Sequence, residues 1–203
     1  MNENNIIGVI LAGGKSSRFG SDKSLIKLGN KTLIEHTLSK IEKDFNEILI
    51  VSNQHEFQIL KKNIFVINDY IDGQLGPLVG ILSAMKWVKQ NKRNYKWIAS
   101  FPCDTPFFDT KIISELKKAS KNSSKKLFFL KSGEKRHNIF GLWSIELINI
   151  LEKDIKNNYR KVEEWADKIG LETIDINTKN FNSFLNINTK EDLEEAKKNL
   201  DKI

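Results

Sequence analysis

The residues best suited to chemistry lie in a glycine-rich, basic segment that follows the first predicted strand, residues 6–11. Gly13 and Gly14 have no Cβ, so their backbone N–H groups can approach a phosphate closely. The cationic side chains of the segment, which suit a triphosphate, are Lys15, Arg18 and Lys23. Because open α/β sheets bind ligands beyond the carboxyl ends of their strands, the segment predicts a triphosphate-binding loop. The structural alternative is a tight turn with solvated charges, and neither the dinucleotide fingerprint nor the P-loop pattern is present.

A carboxylate follows a second predicted strand, residues 97–101. Asp104 lies two residues after Pro102, so it should reach the same edge of the sheet as the glycine segment. A carboxylate at that edge is a natural ligand for a Mg²⁺ ion that bridges phosphate oxygens. The alternative is a turn aspartate between two prolines, and the neighbouring Cys103 is predicted to be a buried structural residue.

A third glycine-rich segment, residues 73–81, follows Asp69 and leads into a predicted helix at residues 78–89. Pro77 would stand in the first helical turn, where proline is tolerated. Glycine loops and helix N-termini suit anions and close contacts with a base. A turn with a helix cap explains this segment equally well.

The other predicted elements alternate between short apolar strands and amphipathic helices. Further strands are predicted at residues 47–51, 64–67, 127–130, 139–143 and 172–176. Further helices are predicted at residues 32–41, 110–119, 145–153 and 162–169, and a last one follows a cap at Asn188 or Thr189 with Glu191 or Asp192 three residues on. This alternation predicts an α/β fold with a mostly parallel sheet covered on both faces, formed by a single domain over residues 1–203.

Composition limits the classes of function. The 203 residues carry a formal net charge of +7, which fits either attraction to polyanions or a general abundance of lysine. No arginine-rich or aromatic-interleaved patch supports nucleic-acid binding. No apolar run of membrane-spanning length or signal peptide is found, and Cys103 is the single cysteine, so we expect a cytoplasmic protein without a membrane partner.

Taken together and in order, the motifs resemble those of the molybdenum cofactor guanylyltransferases. The matching pieces are residues 11–23, Gly76-Pro77-Leu78 with Gly80, Pro102-Cys103-Asp104 with Pro106, Phe140-Gly141-Leu142-Trp143, and Asn186-Ile187-Asn188-Thr189 with Asp192-Leu193. The resemblance implies a three-layer, Rossmann-like nucleotidyltransferase fold. It also implies transfer of GMP from GTP to the phosphate of molybdopterin, with Mg²⁺ as cofactor and release of pyrophosphate.

The resemblance also implies a set of site residues. Those assigned to GTP are Leu11, Ala12, Gly13, Gly14, Lys23, Asn53, Asp69 and Asp104, with Asp104 also on Mg²⁺. Lys23, Asp104 and Arg18 are the expected catalytic residues. Gly13 stands where cytidylyltransferase relatives usually carry alanine, which favours guanine. Because a carboxylate can accept from both guanine N1–H and N2–H₂, we expect Asp69 to recognise the base with help from Asn53.

The acceptor site is expected in the later half of the chain. Its candidate residues are Arg136, His137, Arg160 and Lys161, with Trp143 or Trp165 available to stack on a ring. The alternative for each is a solvated basic residue or a core aromatic. Asn138 stands where the family commonly has proline, which frees φ and restores an N–H.

Other functions remain open at this point. They are a cytidylyltransferase or sugar-phosphate nucleotidyltransferase, a non-catalytic GTP-binding module, and, with least support, a basic nucleic-acid binder. The expected partners are GTP and molybdopterin, with transient contact to other cofactor-biosynthesis proteins or acceptor molybdoenzymes.

Overall fold

A mixed sheet organises the protein. The computed structural model describes residues 5–13, 23–53, 61–73, 75–92, 94–122, 124–177 and 183–200. The strands are β1 (Ile6–Leu11), β2 (Lys27–Leu28), β3 (Lys31–Thr32), β4 (Ile48–Val51), β5 (Ile64–Ile67), β6 (Trp97–Pro102), β7 (Leu127–Ser132), β8 (Lys135–Ser144) and β9 (Glu172–Asp175). The helices are α1 (Leu33–Ile41), α2 (Pro77–Asn91), α3 (Lys111–Asn122), α4 (Ile148–Lys156), α5 (Val162–Ile169) and α6 (Lys190–Lys198).

The order of the main sheet is β5-β4-β1-β6-β8-β7-β9. Its first four strands run parallel, β8 is antiparallel to both β6 and β7, and β9 is parallel to β7. The central strands are buried on both faces, which explains why they read as continuous apolar runs in the sequence. The carboxyl ends of β1, β4 and β6 therefore meet at one edge of the sheet.

Two apolar clusters cover the two faces of the sheet. One contains Leu82 of α2, Leu151 of α4 and Trp165 of α5, and the other contains Leu38 of α1 and Leu116 of α3. Helices on both faces of a mostly parallel sheet give the three-layer α/β architecture that the sequence predicted.

The elements match the predicted ones closely, with informative differences. β8 begins at Lys135, four residues before its predicted start, and α3 continues to Asn122. The hairpin of β2 and β3 was not predicted. It belongs to a third apolar cluster, in which Leu28 packs with Phe107, Ile187 and Ala196 of α6. This cluster attaches the segment around α6 to the rest of the fold.

Gly141 is placed where the core leaves no room for a side chain. A Cβ built on it would lie 2.6 Å from Cδ1 of Phe129 and 2.9 Å from the carbonyl oxygen of Phe128. Gly141→Ala should therefore lower the free energy of unfolding by about 3 kcal/mol through overpacking, measured by denaturant titration. The matched control is Gly133→Ala in the β7–β8 turn, where φ is +55° and no atom lies within 4 Å of the added Cβ. That change should cost about 1 kcal/mol from backbone strain alone. Equal losses for the two variants would contradict the packing argument.

Within the described part of the chain, no helix combines the length and the apolar character that crossing a membrane requires.

Candidate active site

A cavity of about 510 Å³ opens at the sheet edge where β1, β4 and β6 end. It is bounded by two groups of residues. The first group, from the parallel half of the sheet and α2, is Leu11, Gly13, Val51, Asp69, Gly76, Pro77 and Gly80. The second group, from β6, β8 and the segment before α6, is Pro102, Asp104, Thr105, Lys135, His137, Asn138, Ile139, Phe140, Phe184 and Asn186. Gly13 and Asp104 thus face the same cavity, as the sequence predicted from the ends of their strands.

Asp104 and Lys23 lie in a polar cluster. The ammonium of Lys23 lies 2.5 Å from Oδ2 of Asp104, and the two side chains are only 15% and 20% exposed. The same ammonium donates to Oδ1 of Asn188 at 2.5 Å and to Oδ1 of Asn186 at 3.3 Å. The backbone N–H of Ile187 donates to the carbonyl oxygen of Asp104 at 2.9 Å. Residues far apart in the sequence are therefore held around one cationic position.

The cap of α6 fixes Asn188 in this cluster. Oδ2 of Asp192 accepts hydrogen bonds from the backbone N–H groups of Asn188 and Thr189, both at 2.8 Å. The N–H of Asp192 donates in return to Oγ1 of Thr189 at 3.1 Å. This capping box selects Thr189 and Asp192 from the predicted alternatives. The Asn188 N–H, together with the Thr189 groups and the nearby charge of Lys23, holds the pKa of Asp192 below its usual value.

Asp69 and Asn53 form a reciprocal pair on the first group's side of the cavity. Nδ2 of Asn53 donates to Oδ2 of Asp69 at 2.8 Å, and the N–H of Asp69 donates to Oδ1 of Asn53 at 2.9 Å. Burial raises the pKa of Asp69, and the hydrogen bond from Asn53 offsets part of that rise. A Cβ on Gly13 or Gly80 would lie 4.0 or 3.8 Å from the Asp69 carboxylate. Two glycines therefore keep open the space beside this carboxylate.

The acceptor candidates are arranged differently from the expectation. Arg136 donates to both carboxylate oxygens of Asp167, to Oδ1 of Asn138 and to Glu163, so it joins β8 to α5. Arg160 donates to the carbonyl oxygens of Ile155 and Tyr159 and to Asn158, and Lys161 pairs with Glu164 on the surface. Of the four candidates, only His137 lines the cavity.

Of the two alternatives for Trp143 and Trp165, the structure supports the core aromatic and contradicts stacking on a ligand ring. Both side chains are 0% exposed, and their ring centroids lie 6.1 Å apart inside the core. Nε1 of Trp143 donates to Ser100 and Nε1 of Trp165 donates to Asp154. Their polar atoms are satisfied internally, which is what allows tryptophan to be fully buried.

Some predicted site residues cannot be placed. Gly14 and Arg18 lie outside the described residues, as does Lys15. In contrast, Asn186 and Asn188 contact Lys23, although the sequence analysis placed neither of them among the site residues. The signal that could have identified them is the Asn-x-Asn-Thr pattern directly before a capped helix, because a cap fixes the backbone that carries both amides.

The cluster around Asp104 fits a divalent cation that is shared with a ligand. In the described ranges, no three His, Cys, Asp or Glu side chains form a ready-made metal cage. Three side-chain oxygens from Asp104, Asn186 and Asn188 nevertheless already converge on one cation, the ammonium of Lys23. Mg²⁺ in nucleotide enzymes typically takes one or two carboxylates and completes its shell with phosphate oxygens and water. A single carboxylate at this edge is compatible with that mode of binding.

Comparisons with known proteins identify the family of this chain. The family model described as MobA-like NTP transferase domain matches residues 8–169. The chain is 32% identical to the molybdenum cofactor guanylyltransferase of Haemophilus influenzae strain 86-028NP, over 94% of this chain and 97% of that protein. It is 29% identical to the protein of the same name from Nitrobacter hamburgensis, over 94% and 92% of the two chains.

A solved structure shares the fold. It is the molybdopterin-guanine dinucleotide biosynthesis protein A from Archaeoglobus fulgidus, with a TM-score of 0.80 and 22% identity over 97% of this chain and 100% of that one. The extent of these matches leads to one conclusion: the chain is a nucleotidyltransferase that belongs to the MobA-like NTP transferase family, together with the molybdenum cofactor guanylyltransferases.

Proposed function

We propose that this protein transfers GMP from GTP to the phosphate of molybdopterin, releasing pyrophosphate and forming the guanine dinucleotide cofactor. The observation that carries the proposal is the pairing of two sites in one cavity. The Asp69–Asn53 pair offers a base-recognition site, and the Asp104–Lys23 cluster offers a phosphate and cation site. The names of the relatives that match nearly the whole chain support the same activity.

In this proposal, Asp69 accepts from N1–H and N2–H₂ of guanine while Asn53 holds the carboxylate in place. Leu11, Ala12 and Gly13 lie at the end of β1, where their backbone can border the nucleotide. From the sequence alone, Gly14 and Arg18 are assigned to the phosphates of the nucleotide. The chain thus orients both ends of GTP before the reaction, which is worth several orders of magnitude in rate for reactions of this type.

Asp104 would hold Mg²⁺ in this scheme, with Lys23 beside it. When bound, Mg²⁺ supplies charge neutralisation at the phosphate oxygens and the leaving pyrophosphate. The phosphate of the acceptor is already anionic, so no strong base and no covalent nucleophile are required. Lys23 and Arg18 would then stabilise the negative charge that accumulates during the transfer.

The direct test measures pyrophosphate release from the purified protein with GTP, Mg²⁺ and molybdopterin. We expect release that depends on all three components. Equal or faster release with CTP would instead indicate a cytidylyltransferase, and release with a sugar phosphate as acceptor would indicate a sugar-phosphate nucleotidyltransferase. GTP binding without any release would contradict the enzymatic proposal.

Nucleotide preference gives a separate prediction for Asp69. Asp69→Ala should weaken GTP binding about 10–100-fold, because hydrogen bonds to a charged group are lost, while ATP and CTP binding changes little. Asp69→Asn should shift the preference towards xanthosine triphosphate, since the amide N–H₂ can donate to the carbonyl that replaces the N2–H₂ of guanine. Isothermal titration with the four nucleotides measures both effects.

The matched control is Asp72→Ala, three residues further on and exposed. It should leave all nucleotide affinities unchanged. Equal weakening of GTP, ATP and CTP by Asp69→Ala would refute base recognition by this residue.

A further inference from the structure

His137 is a buried polar residue that the proposed mechanism leaves without a role. It lies on β8, is only 9% exposed and lines the cavity. Its ring is stacked on Phe184, with centroids 3.7 Å apart and planes inclined by 20°. Phe140 meets both rings edge-on. The imidazole is therefore held in one orientation by aromatic neighbours from β8 and from the segment before α6.

One nitrogen of this imidazole is satisfied by the protein and the other is not. Nε2 and the hydroxyl of Ser132 are hydrogen-bonded at 2.7 Å. Throughout the described ranges, Nδ1 of His137 has no hydrogen-bond partner. Because the ring lines the cavity, a nitrogen without a protein partner can bind a molecule that enters it. The arrangement indicates that Nδ1 is reserved for a ligand.

The surroundings of His137 also determine its protonation state. Burial, with a smaller contribution from the charge of Lys135, lowers the pKa of His137 from 6.5 to about 4. The ring is thus neutral at physiological pH and is poorly suited to binding a phosphate. In either neutral tautomer Nδ1 retains one hydrogen bond, as a donor when Ser132 donates to Nε2 and as an acceptor when Ser132 accepts from it.

The position of His137 excludes contact with the base site. β8 is separated from β1 by β6, and two strand spacings amount to about 10 Å. Asp69 and the glycines beside it belong to the other side of the cavity. On this side of the cavity, Ile139, Phe140 and Phe184 contribute apolar surface, and Lys135, Asn138 and Asn186 contribute polar groups. Stacked rings with a few polar groups beside them suit a flat heterocycle with hydrogen-bonding edges.

We propose that His137 is a specificity-determining residue for the acceptor, whose pterin ring it binds through Nδ1. This inference rests on the proposed function, because it takes molybdopterin as the acceptor. It assigns the wall formed by His137 and Phe184 to the heterocycle, and it leaves the acceptor phosphate to the cluster around Asp104 and Lys23.

Three substitutions distinguish the role of Nδ1 from that of Nε2. His137→Phe keeps an aromatic ring on Phe184 and removes both nitrogens. His137→Gln places an amide near the former Nε2 and can retain Ser132, whereas His137→Asn places an amide near the former Nδ1. We expect His137→Phe and His137→Gln to raise the KM for molybdopterin about tenfold, as the loss of one buried hydrogen bond implies. His137→Asn should recover most of this loss, and kcat and the Kd of GTP should stay within about twofold, since none of these changes touches the base site.

The matched control is Ser132→Ala, which removes the partner of Nε2 and leaves Nδ1 in place. It should raise the KM for molybdopterin less than His137→Gln does. The effect of His137→Phe should also be the same at pH 5.5 and pH 8, because a ring with a pKa of about 4 is neutral at both. An effect that disappears at pH 8 would show that a charged ring binds the acceptor, and it would overturn the proposal.

A direct measurement of molybdopterin binding distinguishes a failure of the role of His137 from a failure of the proposed reaction. Quenching of pterin fluorescence measures molybdopterin binding without GTP or turnover. If the wild type releases no pyrophosphate but binds molybdopterin more tightly than His137→Phe and His137→Gln, the proposed reaction fails and the role of His137 stands. Unchanged molybdopterin binding in both variants would overturn the role of His137. A parallel loss of GTP binding would overturn it as well, because it would show that the residue only supports the fold.

Discussion

Replacing Asp104 with asparagine is expected to lower the rate of pyrophosphate release about 10³-fold, the scale on which electrostatic groups at a transferring phosphate act. The substitution preserves the shape of the side chain but removes the charge that would bind Mg²⁺ and that pairs with Lys23. It leaves the Asp69–Asn53 pair untouched, so GTP should still bind through its base. The measurement is single-turnover pyrophosphate release at saturating GTP and molybdopterin, with Mg²⁺ at a concentration that just saturates the wild type.

Asp109→Asn provides the matched control. Asp109 is exposed just before α3, five residues after Asp104. Removing its charge should leave the rate of pyrophosphate release unchanged within about twofold. Raising the Mg²⁺ concentration should recover part of the activity of Asp104→Asn, because a weaker ligand set still binds at higher concentration. Full activity of Asp104→Asn at low Mg²⁺ would show that this carboxylate does not hold the metal.

Lys23→Met is expected to lower the same rate about 10²-fold by removing a cation from the phosphate site. The ammonium lies among three side-chain oxygens at 2.5–3.3 Å, contributed by Asp104, Asn186 and Asn188. A guanidinium is larger and planar, so Lys23→Arg should fit this cage poorly and restore only part of the rate. The same single-turnover measurement of pyrophosphate release, with GTP, Mg²⁺ and molybdopterin present, would compare both variants with the wild type.

The control for this change is Lys27→Met, which removes an exposed lysine of β2. Because Lys23 and Asp104 are in direct contact, the effects of Lys23→Met and Asp104→Asn should not be additive in the double variant. Strict additivity of the two losses would contradict a shared role around one ligand. A normal rate for Lys23→Met would remove this lysine from the proposed mechanism.

The sequence was sufficient to predict the layers of the fold and the convergence of distant motifs. Apolar runs alternated with amphipathic helices, and parallel strands end at a common edge, so Gly13 and Asp104 could be placed together. The capping box of α6 was also visible, because Thr189 and Asp192 have the required spacing. These successes rest on local patterns and on a rule of topology that holds for open sheets.

Features that depend on long-range packing were not predictable. Asn186 and Asn188 reach Lys23 because Ile187 is hydrogen-bonded to the Asp104 carbonyl and packs with Leu28 and Ala196, and no periodicity in the sequence shows those contacts. Likewise, the sequence could not show whether Trp143 and Trp165 face the cavity or the core. Their burial follows from internal hydrogen-bond partners that only the three-dimensional structure brings together.

The contacts of Lys23 with Asn186 and Asn188 have a consequence for the order of assembly. They join residues separated by 163 and 165 positions, so closing this loop is among the entropically costly steps of folding. During synthesis on the ribosome, β1, β4 and β6 can pair long before residues 186–188 emerge. The phosphate site should therefore mature late, and a nascent or interrupted chain can hold a folded sheet while its reaction centre is still incomplete.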